Sequence, residues 1–198
     1  MRYAPAVNSL AILVAAVTLT VLAPQRGQRG PAAPAKDVTG TVAINGAAVT
    51  MTNVYAFATR TPTGQDDGTL LFFSSAPVPD DVLKGLVTAP NIVSRARLAA
   101  VAMNGQLTAV DLYIRPLAIA EARSGTPAKT GMASTFYSKI FAAMSGYTSH
   151  AGGEQLTLSK SEAGTLAGTA RQPLQKLSSG ATVQYELTFK TKVRTPGK

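Results

Sequence analysis

The chain of 198 residues contains no cysteine, no tryptophan and a single histidine, His150. Without cysteine it forms no disulfide bond, and its set of usual zinc ligands is reduced to one imidazole. Aromatic residues make up only 6% of the chain, which leaves little surface for stacking sugar rings. Glycine-rich phosphate-binding loops are missing as well. We therefore expect no metal ion and no cofactor, and we expect that the protein is not an enzyme.

Long apolar runs are equally scarce, and the longest is Ser9–Ala23, which lies behind Arg2. As a helix, its 15 residues would reach about 22 Å, short of the roughly 30 Å hydrocarbon core of a bilayer. This length favours a cleaved signal peptide, although the basic residues after the run outnumber those before it. An uncleaved membrane anchor is the alternative, and a buried helix of a soluble domain ranks third.

A stretch rich in proline, glycine and alanine follows the apolar run and contains the small-x-small site Ala33-Pro34-Ala35. Together the two segments predict an exported protein, periplasmic or extracellular, with a form anchored in the membrane by residues 9–23 as the alternative. The predicted organisation is a signal peptide or anchor at residues 1–23, a tether at 24–36 and a single β-rich domain at 37–198.

Charged residues are sparse, at 15% of the chain, and the net charge is +9. Four of the nineteen basic residues and none of the ten acidic residues precede Asp37, which leaves +5 for the predicted domain. This mildly basic balance favours an envelope protein or an anionic surface as partner. It falls short of the concentrated positive stripe of a nucleic-acid-binding protein, so we expect no specific nucleic-acid binding.

Alternating apolar and polar residues predict strands at both ends of the domain. Asn45-Gly46 between two alternating segments predicts a hairpin, because a type I′ turn requires positive φ at both central positions. Thr69–Ser75 is apolar on successive residues, which indicates a central strand covered on both faces. A second hairpin is predicted from Gln155–Ser159 and Thr165–Arg171, with Gly168 allowing a close backbone approach. The clearest strand comes last, and its predicted inner face is Val183, Tyr185, Leu187, Phe189 and Val193.

The middle of the domain carries the helical signals. Asp80 or Asp81 is placed to cap one or two helical turns that run through Leu86. The alanine-rich segment Pro90–Asn104 lacks alternation and runs into Gly105, which predicts a helix.

Three further segments complete the domain. Gln106–Arg115 alternates and is predicted to be a half-buried strand with Asp111 on its outer face. Ser134–Ala143 fits a strand or a short helix, and we favour the strand; Gly146–Gly153 is predicted to be a loop. The fold class that follows is mainly β: an antiparallel β-sandwich or open barrel of about eight strands, with a helical excursion around residues 80–104.

Several short segments carry a resemblance to a known group of proteins. They are GTVAINGAAVTMTNVYAF, MNGQLTAVDLYI, LTLSKSEAGTLAGTARQ and VQYELTFKT. The chain resembles, over most of residues 39–193, a group of exported bacterial β-sandwich proteins of unknown function. The resemblance implies a β fold and an exported location, and it implies no catalytic residues.

The strongest candidate for a binding site is a basic row on the outward face of the last strand, Lys190, Lys192 and Arg194. Such a row can bind an anionic polymer, lipid headgroups or an acidic partner. The competing interpretation, which we favour at this stage, is that the cations protect a sheet edge from pairing with other chains. Basic residues that extend the row in this prediction are Lys160, Arg171, Lys176 and Lys198.

Other constellations are weaker. The pairs Asp66-Asp67 and Asp80-Asp81 lack the spacing of a calcium loop and are interpreted as solvated turns and helix caps. Ser149-His150, with Asp111 or Glu154 as the orienting acid, suggests a hydrolase, but adjacent residues rarely point at one another productively.

The functional hypothesis is a non-enzymatic domain of the bacterial cell envelope that acts through protein or surface contacts. The alternative is a secreted or periplasmic module that binds an anionic or hydrophobic ligand, on the Lys190/Lys192/Arg194 face or inside the sheet. A hydrolase that uses Ser149 or His150 is the third possibility.

Overall fold

The structure is a computed structural model, and it describes residues 37–60, 66–79, 81–83, 85, 92–144 and 146–194. The predicted signal peptide or anchor, the tether and Lys198 lie outside the described residues. None of the helices in the described part has the length and apolar character that crossing a bilayer requires.

Strands dominate the described residues, as the sequence predicts. A 3-10 turn, Lys139–Met144, also forms. The strands are β1 Val38–Ile44, β2 Ala47–Thr50, β3 Asn53–Arg60, β4 Asp66–Ser74, β5 Ala109–Ile114, β6 Met132–Tyr137, β7 Tyr147–His150, β8 Gln155–Leu158, β9 Thr165–Lys176 and β10 Thr182–Arg194; the helices are α1 Ile92–Met103 and α2 Pro116–Arg123.

Two antiparallel sets of five strands make up the sheet. The first has the order β2-β1-β10-β9-β8, and the second runs β3-β4-β5-β6-β7. They join where Val193 and Arg194 of β10 pair in parallel with Ala56 and Phe57 of β3. The sheet curls into an open barrel, which confirms the predicted mainly β class, and the parallel junction makes it mixed rather than purely antiparallel.

The inside of the curl is the main core. Aromatic rings from the two sets of strands meet there: Phe73 contacts Phe189 with ring centroids 5.5 Å apart, and Phe136 contacts Tyr185 at 6.1 Å. The predicted inner face of the last strand is confirmed, because all its members from Val183 to Phe189 are buried. These rings occupy the interior of the curled sheet, which was one of the two places suggested for a ligand.

A second core lies on the outer face of the β3–β7 set, where α1 covers it. Leu98 and Ala102 of α1 pack with Phe57, Phe72 and Tyr137 of the strands. The predicted helix is confirmed. The prediction that β5 is half-buried is wrong, because α1 covers the outer face of the strand and the main core covers its inner face. Five of its six residues are buried.

The predicted turns are confirmed where glycine or asparagine fixes the backbone. Asn45 and Gly46 have φ of 51° and 80° in the turn between β1 and β2. The backbone N–H of Thr182 also donates to Asn45 Oδ1 at 2.9 Å, which ties this turn to β10. In the second hairpin a Cβ at Gly168 would lie 2.0 Å from the Thr157 carbonyl oxygen, so only glycine fits there.

One predicted loop is wrong, one segment combines both predicted alternatives, and one predicted helix is described only in part. Gly146–Gly153 contains β7, whose buried Thr148 pairs with Phe136; a four-residue strand with one buried side chain shows too little alternation to be detected. Ser134–Ala143 is both alternatives in turn, since β6 ends at Tyr137 and the 3-10 turn follows. Of the short helix before α1, residues 81–83 and 85 are helical, and Asp80 and Leu86 lie outside the described residues.

Candidate functional site

The basic row of β10 lies on the outer surface of the curled sheet. Lys190, Lys192 and Arg194 alternate with inward-facing neighbours, and all three are exposed. Both edges of β10 are nonetheless paired: β9 follows one edge, while β1 and then β3 follow the other. Within the row, Lys190 and Lys192 pair with β9, and Arg194 pairs with β3. β10 is therefore an interior strand of the sheet and not an edge strand, which argues against the interpretation of these cations as protection of a sheet edge.

Arg194 is held at the junction between the two sets of strands. Its guanidinium carbon lies 5.5 Å from the centre of the Tyr55 ring, within the range of a cation–π contact. Its strand pairs there with β3, so the backbone is fixed as well. This contact sets one end of the basic row in place.

At the other end, Lys190 borders an open cleft beside the turn that connects β8 and β9. The cleft has a volume of about 520 Å³, and its lining residues are Ser159, Lys160, Ser161, Glu162, Ala167 and Lys190. Ser161 Oγ donates to the Thr165 carbonyl at 2.7 Å, which holds the turn against β9. The same turn borders a second cleft of about 560 Å³, whose far side is Arg123 of α2.

The remaining cations of the predicted row are less free. Arg171 lies 3.9 Å from Glu186, directly across from it on β10. Both side chains are more than half exposed, so this pair adds little stability, but it neutralises the charge of Arg171 locally. Lys176 is exposed near the opposite end of β10 from Lys190, at the position paired with Thr182.

A buried carboxylate lies beneath α1, and the sequence did not predict it. Tyr137 Oη donates to Asp111 Oδ2 at 2.6 Å, and Arg95 of α1 lies 3.8 Å from the same oxygen. Burial raises the pKa of Asp111; the charge of Arg95 and the hydroxyls of Tyr137 and Thr135 oppose that shift to a lesser extent. Asp111 Oδ1 makes no hydrogen bond to any described residue.

Asp111 belongs to a row of side chains that crosses the β3–β7 set. In register order the row is Tyr55, Phe72, Asp111, Thr135 and Ser149. Thr135 and Ser149 share a hydrogen bond of 3.1 Å between their hydroxyls. One signal in the sequence indicates that this row is covered. β4 is apolar on both faces, and the strand beside it is expected to be covered by the same layer of structure.

The suggested Ser149-His150 arrangement does not form. The two residues are consecutive on β7, so their side chains point to opposite faces of the sheet. His150 Nε2–H donates to the Gly152 carbonyl at 2.8 Å, whereas Ser149 bonds Thr135.

Glu154, the other suggested acid, is buried among neutral donors. Ser134 Oγ donates to Glu154 Oε1 at 3.1 Å, and the Gly152 N–H donates to Oε2 at 2.6 Å. Since Ser134 uses its proton on the carboxylate, Tyr185 Oη donates to Ser134 Oγ, at 3.0 Å. This chain of hydrogen bonds links the loop after β7 to both sets of strands, which is a structural role.

The aspartate pairs are separate from these groups. The Asp67 carbonyl accepts a hydrogen bond of 2.5 Å from the Tyr113 hydroxyl, while Asp81 starts a short helical turn and Asp80 is not described. Among the described residues, no three histidine or carboxylate side chains come together as metal ligands do.

Comparison with known proteins adds no relative: no family model, no curated protein and no solved structure matches the chain. The resemblance to exported β-sandwich proteins therefore stays a prediction, and the basic row is the feature of the structure that points to a function.

Proposed function

We propose that this protein is a non-enzymatic domain of the bacterial cell envelope that binds an anionic envelope component through Lys190, Lys192 and Arg194. The observation that carries the proposal is that these exposed cations lie on an interior strand of the sheet, with β9 on one side and β1 and β3 on the other. Edge protection, which would otherwise explain them, does not apply to such a strand. The acidic residues around the row are Asp37, whose carbonyl accepts a hydrogen bond of 2.8 Å from the Lys190 N–H, Glu162 at the cleft, and Glu186, which lies beside Arg171. Among the described residues, none of their carboxylates forms an ion pair with a cation of the row.

A non-enzymatic role is proposed because the candidate catalytic groups are separated or buried. Ser149 and His150 have different partners, and the Asp111 carboxylate is covered by α1. The basic row, in contrast, is open to solvent along its length.

The test is retention on an anionic matrix and its dependence on salt. We expect the protein to bind a sulfonated or phosphorylated matrix at low ionic strength and to be released as salt screens the exposed charges. The triple variant Lys190→Ala/Lys192→Ala/Arg194→Ala should elute at clearly lower salt. The matched control, Arg97→Ala/Lys129→Ala/Lys139→Ala, removes the same charge from exposed positions outside the row. Equal elution of the two variants would show that only net charge matters and would refute the site.

Export is part of the proposal and has its own test. In a bacterial host we expect a soluble periplasmic or secreted species whose mass and first residue place cleavage near Lys36. Intact protein confined to the membrane fraction would instead show that residues 9–23 act as an anchor.

A further inference from the structure

The basic row is linear, and this shape bears on the kind of anion it binds. Lys190, Lys192 and Arg194 follow one strand, so at about 3.3 Å per residue they span roughly 13 Å. Neighbouring cations are then about 7 Å apart, within the Debye length of about 8 Å at physiological salt. They therefore repel one another, and linked negative charges that lie along the strand relieve this repulsion at all three positions at once.

The cleft beside the β8–β9 turn flanks the row at Lys190, on the far side of β9, and Lys160 adds a further cation there. The hydroxyls of Ser159 and Ser161 donate to the Ala167 and Thr165 carbonyls, which holds the turn against β9 beside the row. Because the cleft is open and has a volume of about 520 Å³, it has room for one charged group of a longer chain.

Beside the cleft the surface offers hydroxyl groups in a straight line across four strands. Register places Thr39, Thr188, Thr169 and Thr157 next to one another on β1, β10, β9 and β8. All four are at least partly exposed, and Thr188 is two residues before Lys190 on the same face. Hydroxyls at this spacing are suited to hydrogen bonds with the oxygen-rich backbone of a polymer.

An apolar anchor for a bilayer is missing from this face. The exposed large apolar residues among those described are Leu117 on α2, Ile140 in the 3-10 turn and Leu174 on β9. None of them is in register with the basic row, whose partners on β9 are Ala167 and Thr165. Since membrane binding draws on buried apolar area as well as charge, the face is better suited to a hydrophilic chain than to a lipid surface.

We propose that the ligand of the basic row is a linear polyanion that lies along β10 from Arg194 to Lys190 and places one acidic group in the cleft at Lys160. This inference rests on the proposed function, since it names the class of anion that the same site takes.

The experiment compares three probes with the full-length protein: long-chain inorganic polyphosphate, orthophosphate, and vesicles of anionic phospholipid. We expect polyphosphate to bind and orthophosphate at the same phosphate concentration to compete poorly, because separate ions lack the linkage. Affinity should fall as salt increases, and the plot of log affinity against log salt should be less steep, by about 2, in the Lys190→Ala/Lys192→Ala/Arg194→Ala variant. This is the change expected for three lost contacts to a flexible polyanion.

The cleft is tested by a single substitution. Lys160→Ala should weaken polyphosphate binding about two- to fivefold, the range for one exposed ion pair, while Lys129→Ala should leave it unchanged. Equal effects of the two substitutions would overturn the assignment of the cleft.

The outcomes separate this inference from the proposed function. The wild-type protein could bind vesicles or the matrix, lose that binding in the triple variant, and yet not bind polyphosphate. This outcome would overturn the linear polyanion and leave the basic site in place. Full competition by orthophosphate would overturn it in the same way. Failure to bind every anionic probe would overturn both.

Discussion

The substitution Tyr137→Phe tests the buried carboxylate beneath α1, because it removes one oxygen and leaves the ring in place. In the native protein that oxygen donates a hydrogen bond of 2.6 Å to Asp111, and both residues are buried. A hydrogen bond to a charged group stabilises by about 1.5–3 kcal/mol, and one between neutral groups by about 1 kcal/mol. We expect Tyr137→Phe to lower the free energy of unfolding by about 2–3 kcal/mol when Asp111 is ionised, and by about 1 kcal/mol when it is protonated.

The pH dependence follows from the direction of the pKa shift. Burial raises the pKa of Asp111 above its unfolded value, so the folded state holds this proton more tightly than the unfolded state. The stability that this proton contributes is fully present below the unfolded pKa and is lost as pH rises through the folded pKa. Above that pH the folded protein must hold the carboxylate charged, and there the Tyr137 hydroxyl matters most.

The assay is urea denaturation followed by circular dichroism at a series of pH values from acid to alkaline. The cost of Tyr137→Phe should be smallest at the acid end and should increase as pH rises through the folded-state pKa of Asp111. Tyr147→Phe is the matched control, since its ring packs on Tyr137 at 5.9 Å and its hydroxyl makes no hydrogen bond to a described residue. A cost that is the same at every pH, or equally large for Tyr147→Phe, would refute the reasoning.

Three further substitutions test the fold by the same urea assay. Gly168→Ala places a Cβ 2.0 Å from the Thr157 carbonyl oxygen and should cost more than about 1 kcal/mol, so an unchanged midpoint would contradict the close approach of β8 and β9. Leu98→Ala empties a fully buried position under α1 and should cost about 2–5 kcal/mol; a cost below 1 kcal/mol would mean that α1 does not cover the sheet. Asn45→Ala loses the 2.9 Å bond to the Thr182 N–H and the residue that tolerates φ of 51°, and should cost about 1–2 kcal/mol, whereas Asn45→Gly, which keeps the backbone freedom, should cost less.

Local chemistry made some elements predictable from the sequence. Asn45-Gly46 specifies its turn through backbone conformation alone, and β10 alternates over enough residues to define its inner face. The strand β7 was missed because only one of its four side chains is buried, so the segment shows no alternation of apolar and polar residues. Pairing between distant strands, such as β10 with β3, leaves no local signal.

The candidate site shows the same division. The basic residues of β10 could be found from their spacing, but whether the strand is an edge depends on which strands lie beside it, and this is a property of the whole sheet. Asp111 does lie on the outer face of β5, as predicted. Its exposure to solvent was predicted wrongly, because the helix that covers it comes from another part of the chain. Its partners Arg95 and Tyr137 are 16 and 26 residues away.

The place of β10 in the sheet also determines when this domain can fold. β10 is the last strand of the described residues, and it pairs with β1, β3 and β9. Before it is synthesised, the β1–β2 hairpin and the β8–β9 hairpin share no strand through which to join the β3–β7 set. Contacts between the beginning and the end of a chain form slowly, because a long loop must close first. Synthesis of β10 is therefore a precondition for the native core, and the described part of the domain stays open until that strand has been made.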